Sequence, residues 1–160
     1  MPIRKAPNPP IESPPDLLCA CATARRAARA LTQLYDSQLR SSGVEVPQLG
    51  LLGILYKRPG SSQAALGRML GMDKTTLSRN FKLLKRKGWV EPAPTQDERE
   101  RGFRLTRAGR ERVRAAGPLW KKAQDQLRSA MSAAEWEIMW KVLRVTTQAA
   151  YRARQDLVRA

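Results

Sequence analysis

Hydrophobic positions along this chain recur at helical spacing over most of its length and alternate in only one short region. Leu17, Cys21, Ala24, Ala28, Leu31 and Tyr35 repeat at intervals of four and three, which gathers them on one stripe of a helix. Arg25, Arg26, Arg29 and Arg40 fall mostly off that stripe, and Gly43 ends it. A second apolar run holds Leu49, Leu51, Leu52, Ile54 and Leu55 and stops at Pro59-Gly60. Two short helices should follow. Ser61 or Ser62 can cap the first, which carries Ala65, Leu66, Met69 and Leu70 and breaks at Gly71. Asp73 can cap the second, where Leu77, Phe81 and Leu84 stand at i, i+4 and i+7 ahead of Gly88.

After Gly88 the period shortens to two. Trp89 and Val90 enter one strand, Phe103 and Leu105 alternate in another, and the polar stretch 95–102 joins them. Thr106 then opens a long helix that runs past Pro118, where a bend is expected. Ser132-Ala133-Ala134-Glu135 is a capping box that opens a second long helix, with Trp136, Met139, Trp140, Leu143, Thr147 and Ala150 along one face. Two short helices, a two-stranded hairpin and long flanking helices give the order of a winged helix-turn-helix. The expected fold is mainly α with a small β-hairpin wing (α+β). Terminal helices with apolar stripes and little domain surface to bury against fit an intertwined homodimer; the alternative is a monomeric helical cap.

Charge adds what the pattern lacks. The 160 residues, about one domain in size, carry 30 Lys or Arg against 14 Asp or Glu and no histidine, a formal charge of +16. A hydrophobic fraction of 42% supports a packed core, so the whole chain is not a disordered basic tail. The excess points to a polyanion, either nucleic acid or an anionic membrane surface. Within residues 57–112 stand 15 basic and 6 acidic residues, a net of +9 on the helix-turn-helix and wing. No single helix pairs a large apolar face with a continuous basic one, which counts against the membrane. Double-stranded DNA is the expected partner.

Absences remove other classes. Without histidine there is no Ser-His-Asp or Cys-His pair and no imidazole metal ligand. The acidic residues show neither metal-ligand spacing nor an acid/base pair, so no enzyme, metal site or cofactor is expected. The longest apolar stretch, Leu49–Tyr56, is far short of the ~20 residues of a membrane span. Prolines follow Arg4 and Lys5 where a secretory apolar region would stand, and Cys19 and Cys21 are too close in sequence for a structural staple. A cytoplasmic setting is the expectation. The expected divisions are a proline-rich disordered arm at 1–15, an N-terminal dimerisation helix at 16–44, a DNA-binding lobe at 45–110 and C-terminal dimerisation helices at 111–160. Arg4 and Lys5 could let the arm touch DNA, against the plainer role of a solvated tail.

The second short helix supplies the readout set. With Leu77, Phe81 and Leu84 turned to the core, its other face carries Thr75, Ser78, Arg79, Lys82 and Arg86, with Thr76 at the edge. Arg can bond guanine bidentately, and Thr offers a hydroxyl and a methyl that can meet thymine. Residues nearest the helix N-terminus enter the groove most deeply, which favours Lys74 to Arg79 as base readers. Lys85, Arg86 and Lys87, at the other end, should meet backbone phosphates. In the hairpin, Arg99 and Arg101 can enter a minor groove, with Asp97 orienting Arg99. The bland alternative is a solvated charged face.

Gly88-Trp89-Val90, then Asp97-Glu98-Arg99, then Leu105-Thr106-Arg107-Ala108-Gly109 resemble the wing signature of MarR-family regulators, a D-x-R followed by L-T-x-x-G. The stretch from Leu70 to Arg79 is similar to that family's turn and recognition helix, and the likeness runs through about residues 17–155. The resemblance implies a homodimeric transcriptional regulator, usually a repressor, whose grip on a pseudo-palindromic operator is loosened by a small ligand or by oxidation. It also implies a triangular dimer built by the terminal helices. A small aromatic or phenolic effector between the DNA-binding lobe and the dimer helices would follow the family pattern.

One branch of that family senses organic hydroperoxides through a cysteine near the start of its first helix. Aligning Arg29-Ala30-Leu31-Thr32 with that branch puts Cys21, rather than Cys19, at the sensing position and Tyr35 at a matching tyrosine. Arg25 stands where the branch has a second tyrosine, and Arg25 and Arg26 lie one turn from Cys21. In a regular helix, positions i and i+2 point about 200° apart, so Cys19 and Cys21 could not pair with each other. The other reading of the two thiols is small residues packed in a dimer seam. For the whole chain, the competing function is a non-specific basic chromosome-organising or RNA-binding protein.

Overall fold

Side-chain caps fix where four of the helices begin. In a computed structural model that describes residues 19–94 and 101–159, Ser62 Oγ accepts the Ala65 N–H at 3.1 Å, Asp73 Oδ1 the Thr76 N–H at 2.9 Å and Thr106 Oγ1 the Gly109 N–H at 3.1 Å. Ser132 and Glu135 exchange bonds: the Glu135 N–H donates to Ser132 Oγ at 3.2 Å and the Ser132 N–H to Glu135 Oε2 at 2.8 Å. Each bond satisfies a backbone donor that a helix start leaves without a partner. The elements run α1 (Ala20–Leu39), a 3₁₀ turn (Arg40–Ser42), α2 (Val46–Lys57), β1 (Ser61–Ser62), α3 (Gln63–Leu70), α4 (Lys74–Arg86), β2 (Val90–Ala93), β3 (Gly102–Leu105), α5 (Arg107–Ser129) and α6 (Ala133–Arg159). The proline-rich arm, with Arg4 and Lys5, lies outside the described residues, as do Asp97, Glu98 and Arg99 of the wing.

The wing is a three-stranded antiparallel sheet of order β1-β3-β2, where the periodicity predicts a two-stranded hairpin. After Pro59 the chain passes beside β3, with the Gly60 N–H donating to Phe103 O at 2.8 Å and Ser61 opposite Phe103. Ser62 closes this two-residue strand and also caps α3. A pairing so short, with a partner some forty residues on, leaves no period to read. Pro92 sits in β2, an edge strand, where a missing N–H is tolerated.

The core lies where α2, α3 and α4 meet the sheet and the first half of α5. Leu51, Leu52, Leu55, Leu66, Phe81 and Leu84 are fully buried there, each side chain contributing about 1.5–3 kcal/mol by leaving water. Between α3 and α4, Gly71 adopts φ +62°, a left-handed turn that ends α3 with its N–H on Gly67 O. α1 lies along α5, where Ala116 and Ala123 are fully buried and the Tyr35 hydroxyl donates to Gln124 Oε1. Burial raises the Tyr35 pKa above its ordinary value. Helix α5 continues through Pro118, which follows Gly117; without a Cβ, glycine avoids the clash a proline imposes on the residue before it.

The start of α5 is held against the segment that leads into β2. The Thr106 N–H donates to Trp89 O at 3.1 Å and its hydroxyl to Gly88 O at 2.7 Å, while the same oxygen caps Gly109. A Cβ on Gly109 would fall 2.1 Å from Trp89 O. The L-T-x-x-G stretch is therefore a docking device: Leu105 fills the core, Thr106 ties the helix to Gly88 and Trp89 ahead of β2, and Gly109 allows the close approach. Helix α6 differs from the rest. None of its described side chains is buried, and Ile138, Trp140, Val142, Leu143 and Val145 are all exposed. Among the described residues, no helix is long and apolar enough to cross a membrane.

Candidate nucleic-acid interface

Helix α4 is held in one rotation about its axis by its apolar side. Leu77, Phe81 and Leu84 are buried, and the Phe81 ring meets Phe103 of the wing edge-on at 4.7 Å between centroids. The Lys85 ammonium lies over the Phe103 ring, 4.5 Å from its centroid, and adds a second link from α4 to β3. The opposite face is thereby turned outward. Lys74, Thr75, Thr76, Ser78, Arg79, Lys82 and Arg86 are all exposed on it. Among the described residues, none bonds to the side chains of Lys74, Thr75, Ser78, Arg79 or Lys82.

Neighbouring cations are engaged by contrast. Arg104 Nε meets Glu91 Oε1 at 2.7 Å across directly paired positions of β3 and β2. Arg107 pairs with Glu111 at 3.1 Å, and Arg110 and Arg112 donate to the carbonyls of Leu105 and Ser42 at 2.8 and 3.2 Å. On α4, Lys74, Arg79 and Lys82 are thus left without a partner among the described residues, and Arg101 is exposed at the entry to β3. Arg99 lies outside the described residues.

Lys87 departs from the phosphate-contacting role its sequence position predicts. Its ammonium donates to Gly43 O at 3.2 Å, reaches Gln48 Oε1 at 3.5 Å, and lies 4.3 Å over the Trp89 ring. Gln48 is fully buried, and its amide donates to Glu45 Oε2 at 2.9 Å. Lys87 therefore ties the end of α4 to the junction of α1 and α2. The partner is 44 residues away, and no local pattern could have announced it.

Thr76 is also more committed than an edge position suggests. Its hydroxyl donates to Asp73 Oδ2 at 2.7 Å while its N–H donates to Oδ1. The Thr76 hydroxyl first, and then the backbone N–H, hold the Asp73 carboxyl below its ordinary pKa, so it stays ionised at the positive end of α4.

Cys19 and Cys21 are both free and exposed. Cys19 is the N-cap of α1, with φ −90° and ψ 110°, so its backbone is extended rather than helical. The 200° separation expected of a regular helix does not apply across that boundary. Tyr35 lies fourteen residues along α1 from Cys21, about 21 Å by helical rise, so the two can meet only between chains.

A family model described as MarR family matches residues 42–100. The M. tuberculosis transcriptional regulator MosR, solved in complex with DNA, is 34% identical; the match covers 85% of this chain and 98% of that one, with a TM-score of 0.76. The chain belongs to the MarR family. It is accordingly a transcriptional regulator and not an enzyme. The PcaV transcriptional regulator of Streptomyces coelicolor, solved with its natural ligand, is 25% identical over 87% of this chain and 99% of that one, with a TM-score of 0.75. S. aureus MepR, solved as a DNA complex, has the same fold at 22% identity, covering 82% of this chain and 96% of that one, with a TM-score of 0.70. No curated protein sequence matches the chain.

Proposed function

We propose that this MarR-family regulator is a cytoplasmic repressor that binds a pseudo-palindromic operator in double-stranded DNA as a homodimer. Residues 45–110 form the DNA-binding lobe, and 16–44 and 111–160 supply the dimerisation helices. The observation that carries the reading is the outward face of α4, where Lys74, Thr75, Ser78, Arg79 and Lys82 stand exposed with no partner among the described residues. Arg79 and the residues before it read base edges, Arg86 meets phosphates, and Arg99 and Arg101 on the wing enter the adjoining minor groove. A basic protein that coats any duplex or RNA would use the same charges without discrimination. Arg79→Ala separates the two. It should narrow the gap between operator and unrelated duplex by ~1–3 kcal/mol in gel-shift titrations at physiological salt, whereas a uniform loss of affinity supports the non-specific reading.

Release follows from a small ligand or from oxidation at the start of α1. The open side of α1 carries Arg25, Ala28, Arg29, Thr32 and Gln33, and its guanidiniums suit an aromatic or phenolic effector bearing negative charge. For oxidation, a hydroperoxide would take a Cys21 or Cys19 thiolate to the sulfenic acid and be reduced to the alcohol. The exposure of both thiols and the extended backbone at Cys19 support this route. Peroxide should then release operator from the wild type and fail to do so from Cys21→Ser, Cys19→Ser or both; equal responses in all the proteins leave the ligand as the signal.

A further inference from the structure

A threonine hydroxyl has one proton to give. In Thr76 that proton goes to Asp73 Oδ2 at 2.7 Å, and a hydrogen bond to a carboxylate is stronger than one to a neutral acceptor. Asp73 is bound twice by the same residue, through the hydroxyl and through the N–H at 2.9 Å, so the side chain of Thr76 is locked at its Cβ torsion. Thr76 is nevertheless exposed, in the first turn of the helix whose N-terminal residues go deepest into a groove. What it has left to offer a base is its methyl group, beside Oγ lone pairs that could only accept from an adenine or cytosine amino group. Every purine N7, guanine O6 and thymine O4 in the major groove needs a donor, which Thr76 no longer has; the thymine C5-methyl needs only an apolar contact.

We infer that Thr76 is a thymine-reading residue that acts through its methyl, and that Asp73 is the positioning residue that makes it so by taking up the hydroxyl. This rests on the reading that α4 enters the operator. It explains why an exposed carboxylate is tolerated at the end of the helix nearest the DNA. Both Asp73 oxygens are occupied by Thr76, and the positive end of α4 offsets the charge.

The test begins with operator duplexes selected from a random pool by the full chain, followed by replacement of each half-site thymine with deoxyuridine, which removes only the C5-methyl. One thymine per half-site should prove sensitive in the wild type, with binding weakened about three- to fivefold, the value of one buried methyl. Thr76→Ser keeps the bond to Asp73 without the methyl and should bind thymine and deoxyuridine equally at that position. Asp73→Asn keeps an N-cap of similar quality but turns an amide donor towards Thr76 Oγ, which frees the hydroxyl proton. In that variant the thymine preference should relax towards bases that present an acceptor, with the thermal midpoint little changed. Deoxyuridine without effect at every position overturns the inference, as does wild-type sensitivity in Thr76→Ser, and the repressor reading survives either result. A pool that yields no preferred sequence overturns both.

Discussion

Gly109→Ala is expected to destabilise the protein by about 2–4 kcal/mol, enough to lower the thermal midpoint by about 5–15 °C. The added Cβ would sit 2.1 Å from Trp89 O and 3.0 Å from Trp89 C, both backbone atoms with no rotamer to yield. The helix cannot simply tilt away, because Thr106 holds it to the same segment through Trp89 O and Gly88 O. Relief therefore requires breaking those bonds or displacing Trp89, whose ring is buried and covered by the Lys87 ammonium. Gly53→Ala gives the opposite sign. That glycine is inside α2 with nothing within 4 Å of an added Cβ, so alanine should stabilise by about 0.5–1 kcal/mol through helix propensity and a less flexible unfolded chain. Urea unfolding of both variants checks the pair, and a Gly109→Ala midpoint within error of wild type would sink the docking account of the L-T-x-x-G stretch.

That stretch also shows what could be read from sequence. Asp73, Thr106 and the Ser132–Glu135 pair announce helix starts because a cap acts within three or four residues of itself. Leu77, Phe81 and Leu84 fix which face of α4 is buried, and hence which face carries Arg79, because one helical period decides both at once. Pairings that close long loops leave no such trace. β1 is two residues long and takes its register from Phe103 and Gly102, and Lys87 finds its acceptor at Gly43. Thr76 is an intermediate case: its spacing from Asp73 is legible, but the choice of the hydroxyl over the methyl as the inward group depends on a torsion. Arg110 and Arg112 count towards the basic excess in sequence, yet their guanidiniums are spent on the Leu105 and Ser42 carbonyls. Net charge locates the interface but overstates how many cations face DNA.

Trp140→Asp combined with Leu143→Asp is expected to produce a folded monomer whose operator affinity falls by at least about a hundredfold. Helix α6 is 27 residues long, about 40 Å, and carries Ile138, Trp140, Val142, Leu143 and Val145 exposed to solvent. Trp140 and Leu143 lie on one side of the helix and Ile138, Val142 and Val145 on the other. Large apolar side chains exposed on both sides of one helix mark an association site. Because no described α6 side chain is buried within the chain, charging it should cost little in the core around Leu52 and Phe81, and circular dichroism should stay close to wild type. Sedimentation equilibrium would report the loss of the dimer; a double variant that still sediments as a dimer and still binds would refute α6 as the seam. The salt dependence separates a missing partner from a damaged lobe. A monomer with an intact α4 keeps the phosphate contacts of one half-site, so the slope of log K against log salt should fall to about half the wild-type value. Damage to α4 itself would instead lower affinity on a dimer that still spans two half-sites, and the slope would drop only by the share of the few phosphates that α4 no longer neutralises.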